Sequence, residues 1–281
     1  MSPIYVGGRI LLGSLSAQPT GITTTAGSEY FNTTDNQKYV FSGASNRWRK
    51  TDGNISTNDG DPFNDGSGVA AFRMNGNATS LPGTVYSGTL SGDNTSNDFA
   101  SGGRFGSYWN ATGTRHLLTT STSIVPSGSY SLSFWYKSNT TGQDNDRVMT
   151  IKAPTVCSGW NNYNNSMGFY TGAGVPTNSN ALGSVTRVAE IPDAEINDNT
   201  WHHVAYTISA ANSWQMYLDG SAYNNPHTGA SETRSFNNGS YLAVTTYDGG
   251  TQYNSTCHID QIRLFNRVLT SSEITALYNE S

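Results

Sequence analysis

The sequence predicts an all-β protein built as a two-sheet antiparallel sandwich, and three observations support this. Charged residues make up 12% of the 281 residues and hydrophobic residues 35%, which disfavours helical bundles, coiled coils and nucleotide-binding α/β enzymes. Aromatic residues reach 11%, with 16 Tyr, 10 Phe and 6 Trp, unlike a disordered chain. Short apolar or alternating segments recur every ~10–15 residues between Gly, Asn and Ser, as antiparallel strands do.

Charge and hydropathy exclude two kinds of partner. The net charge is −5, and the basic residues form no stripe beyond the scattered Arg47, Arg49 and Lys50, so nucleic acid is not expected to bind. The apolar run Ile10-Leu11-Leu12 is too short for a signal-peptide core or a membrane span. We therefore expect neither export nor membrane insertion.

Residues 1–50 predict a small β-meander. Strand-forming residues at Glu29–Phe41 flank an Asn-Thr-Thr-Asp-Asn turn, which is typical of a hairpin, and Gly43–Trp48 can return as a third strand. Strands this short bury little surface alone, so the meander should dock on its own copies or on another protein. Residues 51–66 are acidic and rich in turn formers, which predicts a linker.

Residues 67–281 contain the clearest strand patterns. In one of them, residues 130, 132, 134 and 136 are large and apolar, and they alternate with Ser131, Ser133 and Trp135, which is a period of two. Local succession of such strands, joined by short turns, predicts antiparallel pairing. The clearest predicted strands are Ser129–Lys137, Arg147–Lys152, Trp201–Ile208, Ser213–Leu218 and His258–Phe265.

One segment predicts a helix, at the C-terminal end of the sequence. Thr270 and Glu273 have the spacing of a capping box, and Ile274, Leu277 and Tyr278 then form an apolar i, i+3, i+4 face. We expect a short helix packed on the sandwich.

Residues 67–281 resemble the laminin-G-like, concanavalin A-like jelly-roll domains. The resemblance implies two packed antiparallel sheets, and its closing motif, at 259–279, is the most specific. The motifs that match, in the order of the family, are residues 67–77, 103–106, 130–136, 199–206, 214–220 and 259–279.

Residues 27–43, with Arg47-Trp48, resemble the small β-meanders of bacteriophage tail fibres. This resemblance implies a non-enzymatic structural protein of a virion, such as a tail fibre, an appendage or a capsid decoration, assembled in the host cytoplasm. Residues 1–50 would then bind other virion proteins, and the jelly roll would face outward. A homotrimer is what the likeness to fibres implies. A purely structural role without a ligand is an open alternative.

Catalysis is a second alternative, because the same jelly roll includes glucanases. Retaining glucanases of this fold have acids at alternate positions of one strand, with catalytic carboxyls ~5–5.5 Å apart. The nearest candidate here is Glu190, Asp193 and Glu195, but on a strand Glu190 would face away from the other two, and Pro192 interrupts the ladder. We therefore expect no enzyme, and a solvated loop at these residues.

Zinc is not expected. His202 and His203 are adjacent on a predicted strand, so their side chains point to opposite faces and cannot bind one ion. They also belong to a motif of the resemblance, which favours structural roles. Cys157 and Cys257 either form one disulfide bridge or remain thiols, and the sequence leaves both open.

Calcium is the one cofactor the sequence suggests. Laminin-G-like domains often hold Ca²⁺ at the rim of the sandwich, and hard cations prefer oxygen ligands. Asp144 and Asp146 lie after the Ser129–Lys137 strand and could supply carboxylates. A solvated turn is the competing interpretation.

Carbohydrate recognition is the most specific functional expectation. Aromatic faces stack on sugar C–H groups, while amides and carboxylates bind hydroxyls. Two predicted loops, 158–165 and 247–254, have this mixture and could bind host-surface glycan, although they could equally keep the surface soluble or contact neighbouring subunits. The candidate ligand-binding residues are Trp160, Asn161, Asn162, Tyr163, Tyr247, Asp248, Gln252 and Tyr253.

Overall fold

A computed structural model describes the strands of the first 50 residues and most of the elements between residues 61 and 280. The described residues are 4–6, 9–15, 29–32, 37–42, 47–50, 61–63, 65, 67–74, 76, 80–81, 88–91, 99–111, 116–119, 124, 128–141, 146–152, 156–162, 166–173, 185–209, 214–223, 241–245 and 256–280.

The first 50 residues form a five-stranded sheet. Its strands, in spatial and chain order, are β1 Ile4–Val6, β2 Arg9–Leu15, β3 Glu29–Asn32, β4 Gln37–Ser42 and β5 Arg47–Lys50. The predicted hairpin and third strand are confirmed, since β3, β4 and β5 pair antiparallel. The parallel pairing of β2 with β3 was not predicted; residues 16–28 between them are enough for the long connection that parallel neighbours require.

Sixteen further strands and two helices follow. Strands β6 to β11 are Gly68–Phe72, Ser80–Leu81, Gly88–Ser91, Phe99–Gly103, Gly106–Ala111 and His116–Thr119. Strands β12 to β16 are Tyr130–Lys137, Asp146–Lys152, Val156–Asn162, Ser166–Ala173 and Val185–Pro192. Strands β17 to β21 are His202–Ile208, Trp214–Leu218, Ser221–Tyr223, Tyr241–Val244 and Cys257–Phe265, and the helices are α1 Asp193–Ile196 and α2 Ser271–Tyr278. All five clear strand predictions are confirmed.

These strands form a nine-stranded and a seven-stranded sheet. The first has the order β19-β18-β17-β12-β21-β10-β9, with β6 on β21 and β7 on β6; the second has the order β16-β15-β14-β13-β20-β11-β8. Strand β21 is central: β12 pairs along one side, while β10 and β6 share the other. The pairing of neighbours is antiparallel throughout, as predicted, and the jelly-roll fold is confirmed.

The core lies between the two sheets. Tyr130, Leu132, Phe134 and Tyr136 of β12 are all at most 1% exposed and belong to this core, so the predicted alternation is confirmed. The opposite sheet contributes buried residues such as Met149 and Val244. Burial of large side chains at this level contributes about 1.5–3 kcal/mol each relative to exposure.

Helix α2 covers the outer face of the nine-stranded sheet. The predicted capping box is present: the Glu273 N–H donates to Thr270 Oγ1 at 3.3 Å, and the Thr270 N–H donates to Glu273 Oε2 at 2.9 Å. A second, smaller core lies beneath the helix, which explains why β12, β17 and β21 are buried on both faces. Its members are Phe63, Ala205, Tyr217, Phe265, Leu269, Ile274 and Leu277.

The segment predicted as a linker contacts the jelly roll through its described residues. The ring of Phe63 lies 5.4 Å from that of Phe265, and Asp65 accepts hydrogen bonds from Arg267. The chain is therefore anchored to the sandwich before β6 begins. Within the described part of the chain, neither helix has the length and apolar character to cross a membrane.

Cys257 is 2% exposed and lies in the main core. Cys157 is in β14, and its side chain lies outside the described residues. The two alternatives for this pair, a disulfide bridge or two thiols, therefore both stay untested.

Candidate functional site

A cavity of about 330 Å³ opens on the outer face of the nine-stranded sheet, beside the C-terminal end of α2. Its lining comes from four places: the β9–β10 turn, strand β12, the residue before β17, and the end of α2. We call it the aromatic cleft, and its lining residues are Arg104, Trp135, Trp201, Tyr278 and Asn279.

The β9–β10 turn positions Arg104. A side chain at Gly103 would place a Cβ 2.7 Å from the carbonyl oxygen of Ser107 and 2.8 Å from Asp260 Oδ2, so only glycine fits. Gly106, with φ of 96°, closes the turn. The Phe105 N–H donates to Asp260 Oδ2 at 3.0 Å. The turn is therefore held against β21, which fixes the backbone of Arg104.

Trp135 forms the floor of the cleft. It is 4% exposed, and Tyr278 stacks on it with ring centroids 5.8 Å apart and planes 21° apart. The Arg104 guanidinium carbon lies 4.8 Å from the centroid of the same ring, within cation–π distance. Three of the five lining side chains thus hold one another in place.

Trp201 forms one wall. Its Nε1–H donates to the carbonyl oxygen of Gly102 at 3.4 Å, and Tyr108 meets it edge-on at 5.6 Å. Trp201 is partly exposed. Its orientation is therefore fixed by two contacts while part of the indole remains open to the cleft.

Asp260 lies beneath the turn and has no exposed surface. Burial raises its pKa to about 7, although backbone N–H groups of Phe105, Gln261 and Arg104 oppose that shift. Its Oδ1 has no hydrogen-bond partner among the described residues. This carboxyl group is a buried support for the turn and does not line the cleft.

The two adjacent histidines have different surroundings. His202 Nδ1 lies 2.9 Å from Asp219 Oδ2 and its Nε2 lies 3.1 Å from Asp198 Oδ1, and the hydrogen bond to Asp219 is the main cause of its raised pKa. His203 is buried beside Trp135, 5.3 Å from its ring, and burial lowers its pKa to about 3. The two imidazoles therefore face different surroundings, as adjacent residues of a strand do.

The described part of the chain holds no group of three or more His, Cys, Asp or Glu that could bind a metal ion. Asp146 is the first residue of β13, and Asp144 lies outside the described residues. Calcium binding by this pair stays a prediction.

Three of the predicted ligand-binding residues are not in a loop. Trp160, Asn161 and Asn162 belong to β14, so the loop prediction is wrong for them: the whole strand pairs with β15, and the ladder satisfies its backbone groups. In register, Trp160 lies opposite Met149, a core residue. Their role in binding stays untested. The other five candidates, Tyr163, Tyr247, Asp248, Gln252 and Tyr253, lie outside the described residues.

The loop predicted around Glu190 is also wrong. Glu190 is in β16, while Asp193 and Glu195 are in α1, because Pro192, with φ of −57°, ends the strand and precedes a helical turn. Asp193 is 7% exposed and accepts from Asn197 Nδ2 at 2.8 Å. Glu195 accepts from the Tyr223 hydroxyl at 3.0 Å. These acids do not lie at alternate positions of one strand.

The sequence did not identify the aromatic cleft. Its five residues belong to motifs that had been assigned to the fold. One local signal was available: Trp135 interrupts the polar face of β12, between Ser133 and Lys137. A large aromatic residue on the face that should meet water indicates a covering element or a ligand.

Solved structures of other proteins have the same fold. Domain 4 of AbnA, a GH43 extracellular arabinanase from Geobacillus stearothermophilus solved with arabinotriose, is 17% identical with a TM-score of 0.58, over 76% of this chain and 98% of that domain. The binding domain of botulinum neurotoxin DC is similar in complexes with rat synaptotagmin II (15% identity, TM-score 0.54) and with SialylT (14%, 0.54), over 76% of this chain and 51% of the toxin domain.

Sequence comparison gives the family. No curated protein matches this chain. Residues 110–275, more than half of the chain, match Laminin_G_3, described as the concanavalin A-like lectin/glucanases superfamily. These residues include β11 to β21 and the first turn of α2, and with them most strands of both sheets. The chain therefore belongs to the Laminin_G_3 family of the concanavalin A-like superfamily.

Proposed function

We propose that this protein is a non-enzymatic carbohydrate-binding protein and that the aromatic cleft is its binding site. The observation that supports this is the convergence of two tryptophans, a tyrosine, an arginine and an asparagine on one cavity of about 330 Å³. That volume lies at the lower end of the ~300–1,000 Å³ range of small-molecule sites. Indole and phenol faces suit sugar C–H surfaces, and Arg104 and Asn279 supply hydrogen bonds for hydroxyl groups.

The cleft is organised before a ligand arrives. Trp135 is held between Tyr278 and Arg104, and Trp201 is held by Gly102 and Tyr108. Ordering a rotamer-rich side chain on binding costs about 0.5–1.5 kcal/mol, so a ligand here avoids most of that cost. Such rigidity is expected of a recognition site.

The proteins that share the fold support the same class of function. The arabinanase domain was solved with arabinotriose bound, and one toxin binding domain with SialylT. Neither similarity fixes the ligand of this chain, because both identities are below 20%. We propose glycan as the ligand because the lining of the cleft fits it.

We propose a virion as the setting. The tail-fibre-like motif at residues 27–43 includes β3 and β4 of the five-stranded sheet. We propose that this sheet binds other virion proteins, while the sandwich binds host-surface glycan. A homotrimer is part of this proposal. Light scattering of the purified full chain tests the trimer, and mass spectrometry of particles purified from a lysate that contains the protein tests its place in the virion.

A binding experiment can test function and location together. The full chain is applied to an array of bacterial envelope glycans, alongside the variants Trp201→Ala and Trp160→Ala. We expect saturable binding that Trp201→Ala reduces at least tenfold, because truncating a tryptophan that anchors a ligand typically costs about 2 kcal/mol or more. Trp160→Ala should retain binding if the variant stays folded.

The opposite pattern would assign binding to the β14 region and to the predicted residues around Tyr253. Absence of binding by folded protein would favour the purely structural role.

A separate measurement tests for cleavage. Bound glycan is recovered after prolonged incubation and its length is measured by mass spectrometry. Shortened chains would overturn the non-enzymatic proposal.

We propose that Asp144 and Asp146 bind Ca²⁺ as an accessory ion. Ca²⁺ bound to the folded state alone would raise the melting temperature in a concentration-dependent way. Thermal unfolding with Ca²⁺ and with a chelator tests this, and a melting temperature that is the same in both, or a shift that Asp146→Asn retains, would remove the site.

A further inference from the structure

Arg104 differs from the rest of the cleft lining because, among the residues described there, it alone is charged. Its Nη2 donates to the backbone carbonyl oxygen of Glu280 at 3.0 Å, and its guanidinium lies over Trp135 and Phe105. Neither contact is with an anion. A guanidinium has several N–H donors in a fixed fork, so most of its hydrogen-bonding capacity remains for a ligand.

The acids closest to Arg104 are already engaged. The Glu280 carboxylate is fully buried and accepts from both terminal nitrogens of Arg263. Asp260 accepts the Phe105 N–H and lies beneath the turn. Among the residues that the structure describes, no carboxylate oxygen lies within 4.0 Å of the Arg104 guanidinium. Within the part of the chain that the structure describes, the cleft therefore presents a positive charge without a paired anion above an aromatic floor.

We propose that the aromatic cleft selects saccharides that carry a carboxylate, such as those containing a uronic or nonulosonic acid, and that Arg104 binds that carboxylate. This rests on the proposed function and names its ligand class. Arginine pairs with carboxylates through two parallel N–H···O bonds. The ring of the same sugar residue then lies against the open part of Trp201, whose orientation is fixed.

The test compares each carboxylated oligosaccharide with its carboxyl-reduced counterpart on one array, using the full chain. Wild type should bind the carboxylated member roughly tenfold to hundredfold more tightly, the range expected for a charge-assisted hydrogen bond. Arg104→Gln should remove that preference, because it should weaken binding of the carboxylated member far more than binding of the reduced member. Arg104→Lys, which keeps the charge but not the fork, should retain only part of the preference.

Two controls separate this proposal from general effects. Arg267→Gln removes the same charge outside the cleft and should keep the preference, provided that urea unfolding shows it folded at the assay temperature. Trp201→Ala should weaken both members of each pair equally. Equal wild-type binding of both members, or an equal loss of both in Arg104→Gln, would overturn the carboxylate assignment while leaving sugar binding intact. No binding of any glycan by folded protein would overturn both proposals.

Discussion

Three arginines around helix α2 have different partners. Arg263 is 5% exposed and lies in a buried ion pair with Glu280. Arg267 is about one-third exposed and binds two carboxylates, those of Asp65 and Glu273, with nitrogen–oxygen distances from 2.6 to 2.9 Å. Arg104 lies in the aromatic cleft, and its one hydrogen bond among the described residues is to a carbonyl oxygen.

This difference in partners separates the two arginines that stabilise the fold from the arginine that is available to bind a ligand. A buried cation without a paired anion is costly, so the fold supplies Arg263 and Arg267 with carboxylates. Arg104 is partly exposed, so water can solvate it when the cleft is empty. The same residue type therefore forms ion pairs within the fold at two positions and remains available at the third.

The largest expected effect follows from breaking the buried pair. Glu280→Ala leaves Arg263 buried without its counter-ion and should lower the free energy of unfolding by about 3–5 kcal/mol. Arg104→Met removes two cation–π contacts and one hydrogen bond, all at a partly exposed position, so about 1–2 kcal/mol is expected. Urea unfolding of both variants measures the contrast. Equal losses would remove the distinction between the two arginines.

Asp260 lies beneath the turn that carries Arg104 and should affect the stability of the protein in a pH-dependent way. Its pKa of about 7 in the folded protein exceeds the ordinary value of 3.8. The contribution of the protonated Asp260 carboxyl group to the free energy of unfolding is therefore fully present below pH 3.8. It is lost as pH rises through 7, by up to about 4 kcal/mol.

Asp260→Asn should accordingly raise the melting temperature at pH 8 relative to wild type and flatten its decline between pH 5 and pH 8. If the carboxylate were the partner of Arg104, the same substitution would lower the melting temperature at pH 8. Thermal unfolding across this range, monitored by circular dichroism, distinguishes the two.

Arg267→Met should cost less than the loss of Glu280. Asp65 and Glu273 are respectively 41% and 22% exposed, so solvent screens the interaction, and we expect a loss of about 1–2 kcal/mol. The loss should shrink when measured in 1 M NaCl, where exposed charges are screened within ~3 Å. A loss as large as that of Glu280→Ala, or one insensitive to salt, would contradict the screened pair.

The smallest effect concerns a third paired cation, His202. Its pKa is raised chiefly by the hydrogen bond to Asp219, so the stabilisation is fully present below pH 6.5 and is lost as pH rises through the folded-state pKa. His202→Gln should therefore destabilise the protein by about 1 kcal/mol at pH 5.5 and by less at pH 8.5. A larger loss of stability at pH 8.5 than at pH 5.5 would contradict a stabilising role for protonated His202.

The sequence predicted most of the fold because its signals are local. The alternation at 130–136 and the Thr270–Glu273 capping box depend on residues within a few positions of one another. Trp160-Asn161-Asn162 was placed in a loop because Asn is depleted in strands, yet neighbours on both sides, β13 and β15, supply the pairing. Tertiary pairing therefore outweighed local propensity there.

The aromatic cleft depends on long-range contacts. Arg104 meets Trp135 and the carbonyl of Glu280 only after β9, β12, β21 and α2 have assembled, and no spacing in the sequence encodes that meeting. The pairing of Arg263 with Glu280 has the same character, since a strand and the end of a helix must pack first. The lack of a paired carboxylate at Arg104, among the described residues, therefore follows only from the assembled structure, in which nearby acids pair with other arginines.

The central position of β21 has a consequence for biosynthesis. Of the described strands it emerges last from the ribosome, yet β12, β10 and β6 all pair with it. At a synthesis rate of about 5–20 residues per second, on the order of ten seconds pass between the synthesis of β12 and that of β21, and the edge of β12 that pairs with β21 stays unpaired meanwhile. The nascent chain therefore exposes an unpaired apolar strand during that time, and production of the protein should benefit from chaperones that cover such edges.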